Sequence, residues 1–231
     1  MARSPRLALA GELHYLIQRG HNHQPVFADD HDRQAYLGML GEAARQYGVA
    51  IHAYALLQAD VHLLATPPDG TALSRLMQSL GRRYVAAYNR RHQRNGTLWA
   101  GRFRAGLIDS GALGSDALVH VESLPARTGL APSPSDWAWS SAAHHLGHRR
   151  DPVVSEHPAY WALGNTPFER ELVHAHRLLE GIKGELSEGL EKAALQGRML
   201  GSTSFCNRIA AQGRAGPPRK ARGRPVHRVG E

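Results

Sequence analysis

The sequence predicts an α+β fold: a ferredoxin-like antiparallel sheet with helices on one face, a small helical C-terminal extension and a disordered basic tail. Three observations predict it. Short apolar runs alternate with stretches of helical periodicity in the order β-α-β-β-α-β-α over residues 12–126, a split βαβ arrangement. Hydrophobic residues make up 42% of the 231, enough for one core with appendages. Residues 213–231 are rich in Pro, Gly and Arg and hold too little apolar surface to order themselves.

The elements follow in turn. "ELHYLIQRG" (12–20) reads as a strand closed by Gly20, and "HNHQPVFAD" as a loop. Residues 29–48 place Tyr36, Met39, Leu40, Ala43, Ala44 and Tyr47 on one helical face, and Gly48 suits the end. Residues 49–57 and 61–67 form a strand pair. Residues 71–91 form a second helix whose stripe is Leu73, Leu76, Met77, Leu80, Tyr84, Ala87 and Tyr88. A fourth strand spans 102–110, and a helix capped by Ser115 or Asp116 runs over 115–126 toward Pro125. Residues 133–147 read as a packed irregular extension, 150–165 as loop, and 167–182 and 184–197 as two helices. This divides the chain into a domain of residues 1–150, a helical extension of 151–212 and a tail of 213–231.

Charge is distributed unevenly. The formal net charge is +8, yet residues 1–191 hold 19 basic and 19 acidic side chains. The excess lies in 192–230, with nine Lys or Arg and no acid. Between Asp69 and Asp109 there are eight Arg and neither Lys nor acid. Two acid-free basic zones, one built on phosphate-matching guanidinium groups, point to nucleic acid. No apolar run approaches the ~18 residues of a membrane span, so no membrane partner is expected. The N-terminus is too interrupted for a signal peptide. The lone Cys206 makes neither a disulfide nor a Cys-based zinc site, which suits a reducing, cytoplasmic setting.

One short stretch carries chemistry. In "LLQADVHLLATPP" (56–68), Asp60 and His62 are alternate residues of a strand and so share a face. An Asp-x-His pair there has the donors for a divalent metal.

The blocks "RGHNHQPVFADD", "HAYALLQADVHLLATPP", "LSRLMQSLGRRYVAAYNRRHQRNGTLWAGRFRAGLIDS", "HVESLPARTGL" and "DWAWSS" resemble, in order, the REP-associated tyrosine transposases of the Y1 single-strand group. The resemblance covers residues 1–150. It implies an HUH-type domain that binds single-stranded or hairpin DNA. It also implies metal-assisted strand cleavage: a His-x-His pair holding Mg²⁺ or Mn²⁺, a helical Tyr nucleophile and an Asn one turn beyond. Here Asp60 stands for the first His, His62 is retained, His120 stands for the Tyr and Leu124 for the Asn. Asp is a competent ligand and His can attack phosphorus, but Leu124 offers no donor atom. The pattern therefore predicts a vestigial metal pair, Asp60 and His62, and a nucleophile position, His120, that no longer works. Tyr15, Tyr36, Tyr47, Tyr54, Tyr84 and Tyr88 read as packing residues, and "HHLGH" (144–148) as surface.

DNA contacts are expected from Arg75, Arg82, Arg83, Arg90, Arg91, Arg94, Arg102 and Arg104. Trp99 and Phe103 would either stack on unpaired bases or pack the loop onto the core. In the tail, Arg222 and Arg224 flank Gly223 in "RGRP", which resembles an AT-hook suited to A/T-rich duplex. The expected function is that of a nucleoid-associated DNA-binding regulator derived from a transposase, without cleavage and without a cofactor. Two other readings stay open: an active Mg²⁺- or Mn²⁺-dependent nickase using Asp60, His62 and His120, and an RNA-hairpin binder. A homodimer is compatible with either.

Overall fold

The computed structural model describes residues 8–212. Arg222, Arg224 and the expected disorder of the tail lie outside the described residues.

The strands are β1 (Leu13–Arg19), β2 (Ala50–Leu56), β3 (Asp60–Thr66), β4 (Arg104–Ile108) and β5 (Met199–Leu200). They form one sheet in the order β2-β3-β1-β4-β5. The first four are antiparallel, and β5 joins β4 in parallel, so the sheet is mixed. Helices α1 (Asp30–Tyr47) and α2 (Ala72–Arg91) supply the crossovers. Asp29 caps α1 by accepting from the Asp32 amide, and Gly48 ends it with φ +65°, a conformation open to glycine. Both helices pack on the face that carries Leu16, Ile51, Leu63 and Ala65. The expected β-α-β-β-α-β order and the core roles of Tyr36, Tyr84 and Tyr88 hold.

The opposite face departs from the expectation of helices on one side only. Tyr15, Ile17, Ala53, Ala55 and Leu64 pack there against α3 (Ser110–Arg127) and α7 (Gly184–Gln196). Strand residues of both parities are apolar here, so the sheet needs cover on both sides. Helix α3 starts five residues before the expected position. Asp109 is its cap, accepting from the Ala112 amide, and Gly114 lies inside the helix where Ala159 passes too close for a Cβ.

Short α4 (Ala142–His145) and α5 (Pro158–Trp161) precede α6 (Pro167–Glu180). Thr166 and Glu169 close the start of α6 with a reciprocal capping box. After β5, α8 (Thr203–Ala211) sets Phe205 and Ile209 over Leu107 and Leu9.

Gly106 on β4 fixes how closely α7 approaches. A Cβ there would lie 2.5 Å from the Ala193 carbonyl carbon and 2.7 Å from the Ala194 nitrogen, both backbone atoms. Gly106→Val is expected to push α7 off the sheet and to cost about 3 kcal/mol or more. Thermal unfolding beside Gly81→Ala, a position with open space, checks this.

Candidate active site and nucleic-acid surface

β1 and β3 run antiparallel with Ile17 opposite His62 and Arg19 opposite Asp60. Asp60, His62 and Leu64 therefore face the α3 side together with Tyr15 and Ile17, as the alternation required. His120 descends from α3 onto the same spot. The structure thus brings His62 and His120 together.

What joins them is Tyr15, read from the sequence as a packing residue. Its hydroxyl lies 2.7 Å from His62 Nδ1 and 3.1 Å from His120 Nε2. The direction of this chain follows from its far end. Arg127, which can only donate, stands 3.3 Å from His120 Nδ1, and the Ser187 hydroxyl is 3.2 Å away. His120 Nδ1 is therefore an acceptor, and Nε2–H donates to the Tyr15 oxygen. Tyr15 in turn donates to His62 Nδ1, which leaves the proton of neutral His62 on Nε2.

All three side chains are buried, with His120 and Tyr15 at zero exposure. Burial lowers the pKa of His62 to about 3, helped by His120 and Arg19. His120 falls to about 3 through burial and the nearby Arg127 charge. Burial, then Glu191, pushes the Tyr15 phenol well above its ordinary value. All three are neutral at pH 7.

In this hydrogen-bonded arrangement His62 offers no free lone pair to a divalent ion: Nδ1 is held by the Tyr15 hydroxyl and Nε2 carries the proton, so a metal at His62 would cost that hydrogen bond and a change of tautomer. Leu124 is buried and brings no donor. Asp60 sits at the rim, half-buried and 3.8 Å from Arg19, with its pKa raised by burial. Helix α7 closes the site from outside. Ser187 touches His120, while Leu190, Ala193 and Ala194 pack with Tyr15 and Leu124.

The expected DNA-contacting arginines divide into two groups. Arg75 is tied to Asp69, Arg83 to Glu42, and Arg91 to Asp29 and Asp32. Arg82, Arg90, Arg102 and Arg104 are exposed and form no ion pair among the described residues, and Arg94 lies over the Tyr88 ring. Trp99 and Phe103 are buried in the core, Trp99 against Tyr36 and Tyr84. Packing, not base stacking, is their role. The "HNH" turn at His21–His23 is exposed.

"HHLGH" is not all surface. His145 is fully buried on a carboxylate, Glu122, that the sequence reading did not pair with it. The pairing spans 23 residues, and only the fold brings the two together.

The family model described as "Transposase IS200 like" matches residues 12–114. The match covers just under half of the chain. It ends within α3, and residues 115–231 extend beyond the match. Among solved structures, the chain is similar in fold to a REP-associated tyrosine transposase bound to a REP hairpin. The TM-score is 0.56 and the identity 16%, covering 68% of this chain and 93% of the other. A crystal structure from Deinococcus radiodurans R1, of a protein assigned as a transposase, shares 22% identity over 46% of this chain and 84% of its own. Its TM-score is 0.35. No curated protein matches. Among the described residues, no helix is long and apolar enough to cross a membrane.

Proposed function

We propose that the chain binds hairpin DNA through its transposase domain, does not cut it, and serves as a regulatory or architectural factor. One observation carries this reading: the Tyr15 hydroxyl links His62 to His120, and Ser187 of α7 holds the other side of His120. The hairpin as ligand is supported by the REP hairpin on the protein of similar fold. The exposed Arg82, Arg90, Arg102 and Arg104 would contact phosphates, giving affinity that falls with salt. Arg222 and Arg224 would add A/T-rich duplex binding from the tail, and a homodimer would read a palindromic pair of sites.

Labelled single-stranded hairpin DNA with Mg²⁺ or Mn²⁺ tests the reading. Retarded DNA with neither a nick nor a covalent adduct is the expected result. A nick that His120→Ala abolishes overturns it in favour of a nickase using Asp60, His62 and His120. Equal or tighter binding of the same hairpin as RNA would replace DNA as the ligand. Removing two phosphate contacts with Arg82→Ala and Arg90→Ala is expected to flatten the log-affinity against log-salt slope by about 1.4. The same double change at Arg83 and Arg91, already paired with acids, is expected to flatten it less.

A further inference from the structure

Away from the Tyr15 site, Glu122 of α3, His145 of α4 and His174 of α6 meet at zero exposure. Glu122 Oε1 lies 2.6 Å from His145 Nδ1, and Oε2 lies 2.7 Å from His174 Nε2. The Ser141 hydroxyl also donates to Oε1. One ligand atom from each of the three residues lies within 4.8 Å of the others. No Lys or Arg reaches Glu122 among the described residues, so its buried charge has only imidazoles for company. The nitrogens that face Glu122 are His145 Nδ1 and His174 Nε2; the far nitrogens, His145 Nε2 and His174 Nδ1, are buried without a hydrogen-bond partner.

We propose that Glu122, His145 and His174 form a structural site for a divalent ion of the zinc class. Two imidazoles and one carboxylate are a donor set that zinc takes readily, with Ser141 Oγ or a water as the fourth ligand. The ion supplies the positive charge that the buried carboxylate lacks. Tetrahedral bonds of about 2.0–2.1 Å place neighbouring ligand atoms roughly 3.3 Å apart, so each ring withdraws by about 0.6 Å on loading. The proton of each neutral imidazole then moves to the far nitrogen. The site joins three helices that the chain order leaves far apart. It would clamp α4 and α6 onto α3, the helix that carries His120.

The test uses the full chain, purified without a polyhistidine tag, loaded with Zn²⁺ and desalted. One tightly held zinc per chain by elemental analysis is expected, with a rise in Tm of several degrees that EDTA reverses. Co²⁺ in its place is expected to give the visible absorption of four-coordinate cobalt. His174→Ala is expected to abolish the tight zinc and the Tm response. His176→Ala, exposed on the same helix, is expected to keep both. A chain that retains no zinc and whose Tm responds to neither zinc nor EDTA overturns the proposal and leaves a hydrogen-bonded ion cluster. Equal zinc content in His174→Ala and the parent overturns it too, by placing the ion elsewhere. The first overturning result needs no variant, because metal content and Tm response are read on the parent chain.

Discussion

Between pH 7 and pH 5 the protein is expected to lose much of its stability, well above the range where carboxylates titrate. Two buried histidines outside the candidate sites set this. His14 Nε2 accepts from the Leu9 amide at 3.2 Å, and its Nδ1–H donates to the Glu12 carbonyl at 2.7 Å. His52 Nε2 accepts from the Thr66 hydroxyl at 2.9 Å, and its Nδ1–H donates to the Ser155 carbonyl at 2.7 Å. In His14 the unprotonated nitrogen faces a backbone N–H, so a second proton has no acceptor; in His52 it faces a hydroxyl that would have to turn from donor to acceptor. Burial, the leading cause in both, lowers each pKa to about 4. The unfolded chain titrates near 6.5, so between about 6.5 and 4 it binds more protons than the folded one. Stability is then full above pH 6.5 and falls as the pH falls through that window. The two together give a slope of up to about 2.7 kcal/mol per pH unit, and each is worth about 3 kcal/mol once the pH passes 4. His62 and His120 act in the same direction. Urea unfolding at pH 7, 6 and 5 reads the slope directly. His52→Gln, which keeps a donor and an acceptor, is expected to flatten it by one proton. A stability unchanged from pH 7 to 5 would mean that these rings are hydrated and protonate in place.

Local pattern carried the first half of the fold and stopped where burial depends on partners distant in sequence. The strand and helix order through residue 108 followed from period and punctuation, and the shared face of Asp60 and His62 from strand alternation alone. The row of arginines was legible too, but its division was not: Glu42, Asp29 and Asp69 reach Arg83, Arg91 and Arg75 only once α1 and the turn before α2 are in place. Helix α3 was read late because glycines at 111 and 114 look like loop, while Gly114 is there to let α5 come close. Tyr15 has the pattern of any strand aromatic. Nothing local says that its hydroxyl will meet two imidazoles, 47 and 105 residues away. The cover of α7 was the largest omission, because a short amphipathic helix does not announce which surface it will seal. Gly106, a glycine inside a strand, was the one available signal of a close backbone approach.

Placing at these positions the residues that the resemblance implies, with Asp60→His, His120→Tyr and Leu124→Asn, is expected to destabilise the chain and to produce no cleavage. His120 has zero exposure between Tyr15, Arg127 and Ser187, so a phenol in its place must displace one of them, at about 1–3 kcal/mol. Leu124 packs with Leu190 and Ala193 of α7, and an amide there is buried without a partner, at about 2–3 kcal/mol. Asp60 at the rim tolerates change. The sum is roughly 3–6 kcal/mol, less than additive if one shift of α7 relieves both strains. For a chain of this size that is a Tm lowered by about 6–24 °C. Tyr15 and Ser187 of α7 pack on both sides of position 120, so the expectation of no cleavage rests on α7 staying in place. Differential scanning calorimetry gives the first half of this expectation, and the hairpin assay with Mn²⁺ gives the second. An unchanged Tm together with a covalent protein–DNA adduct would mean that α7 lifts readily and that the three substitutions alone silence the site. A lowered Tm without an adduct would place the loss of chemistry in the seal as much as in the residues. Adding Gly106→Val to the restored chain separates the two, since it is expected to open the seal without touching a donor atom.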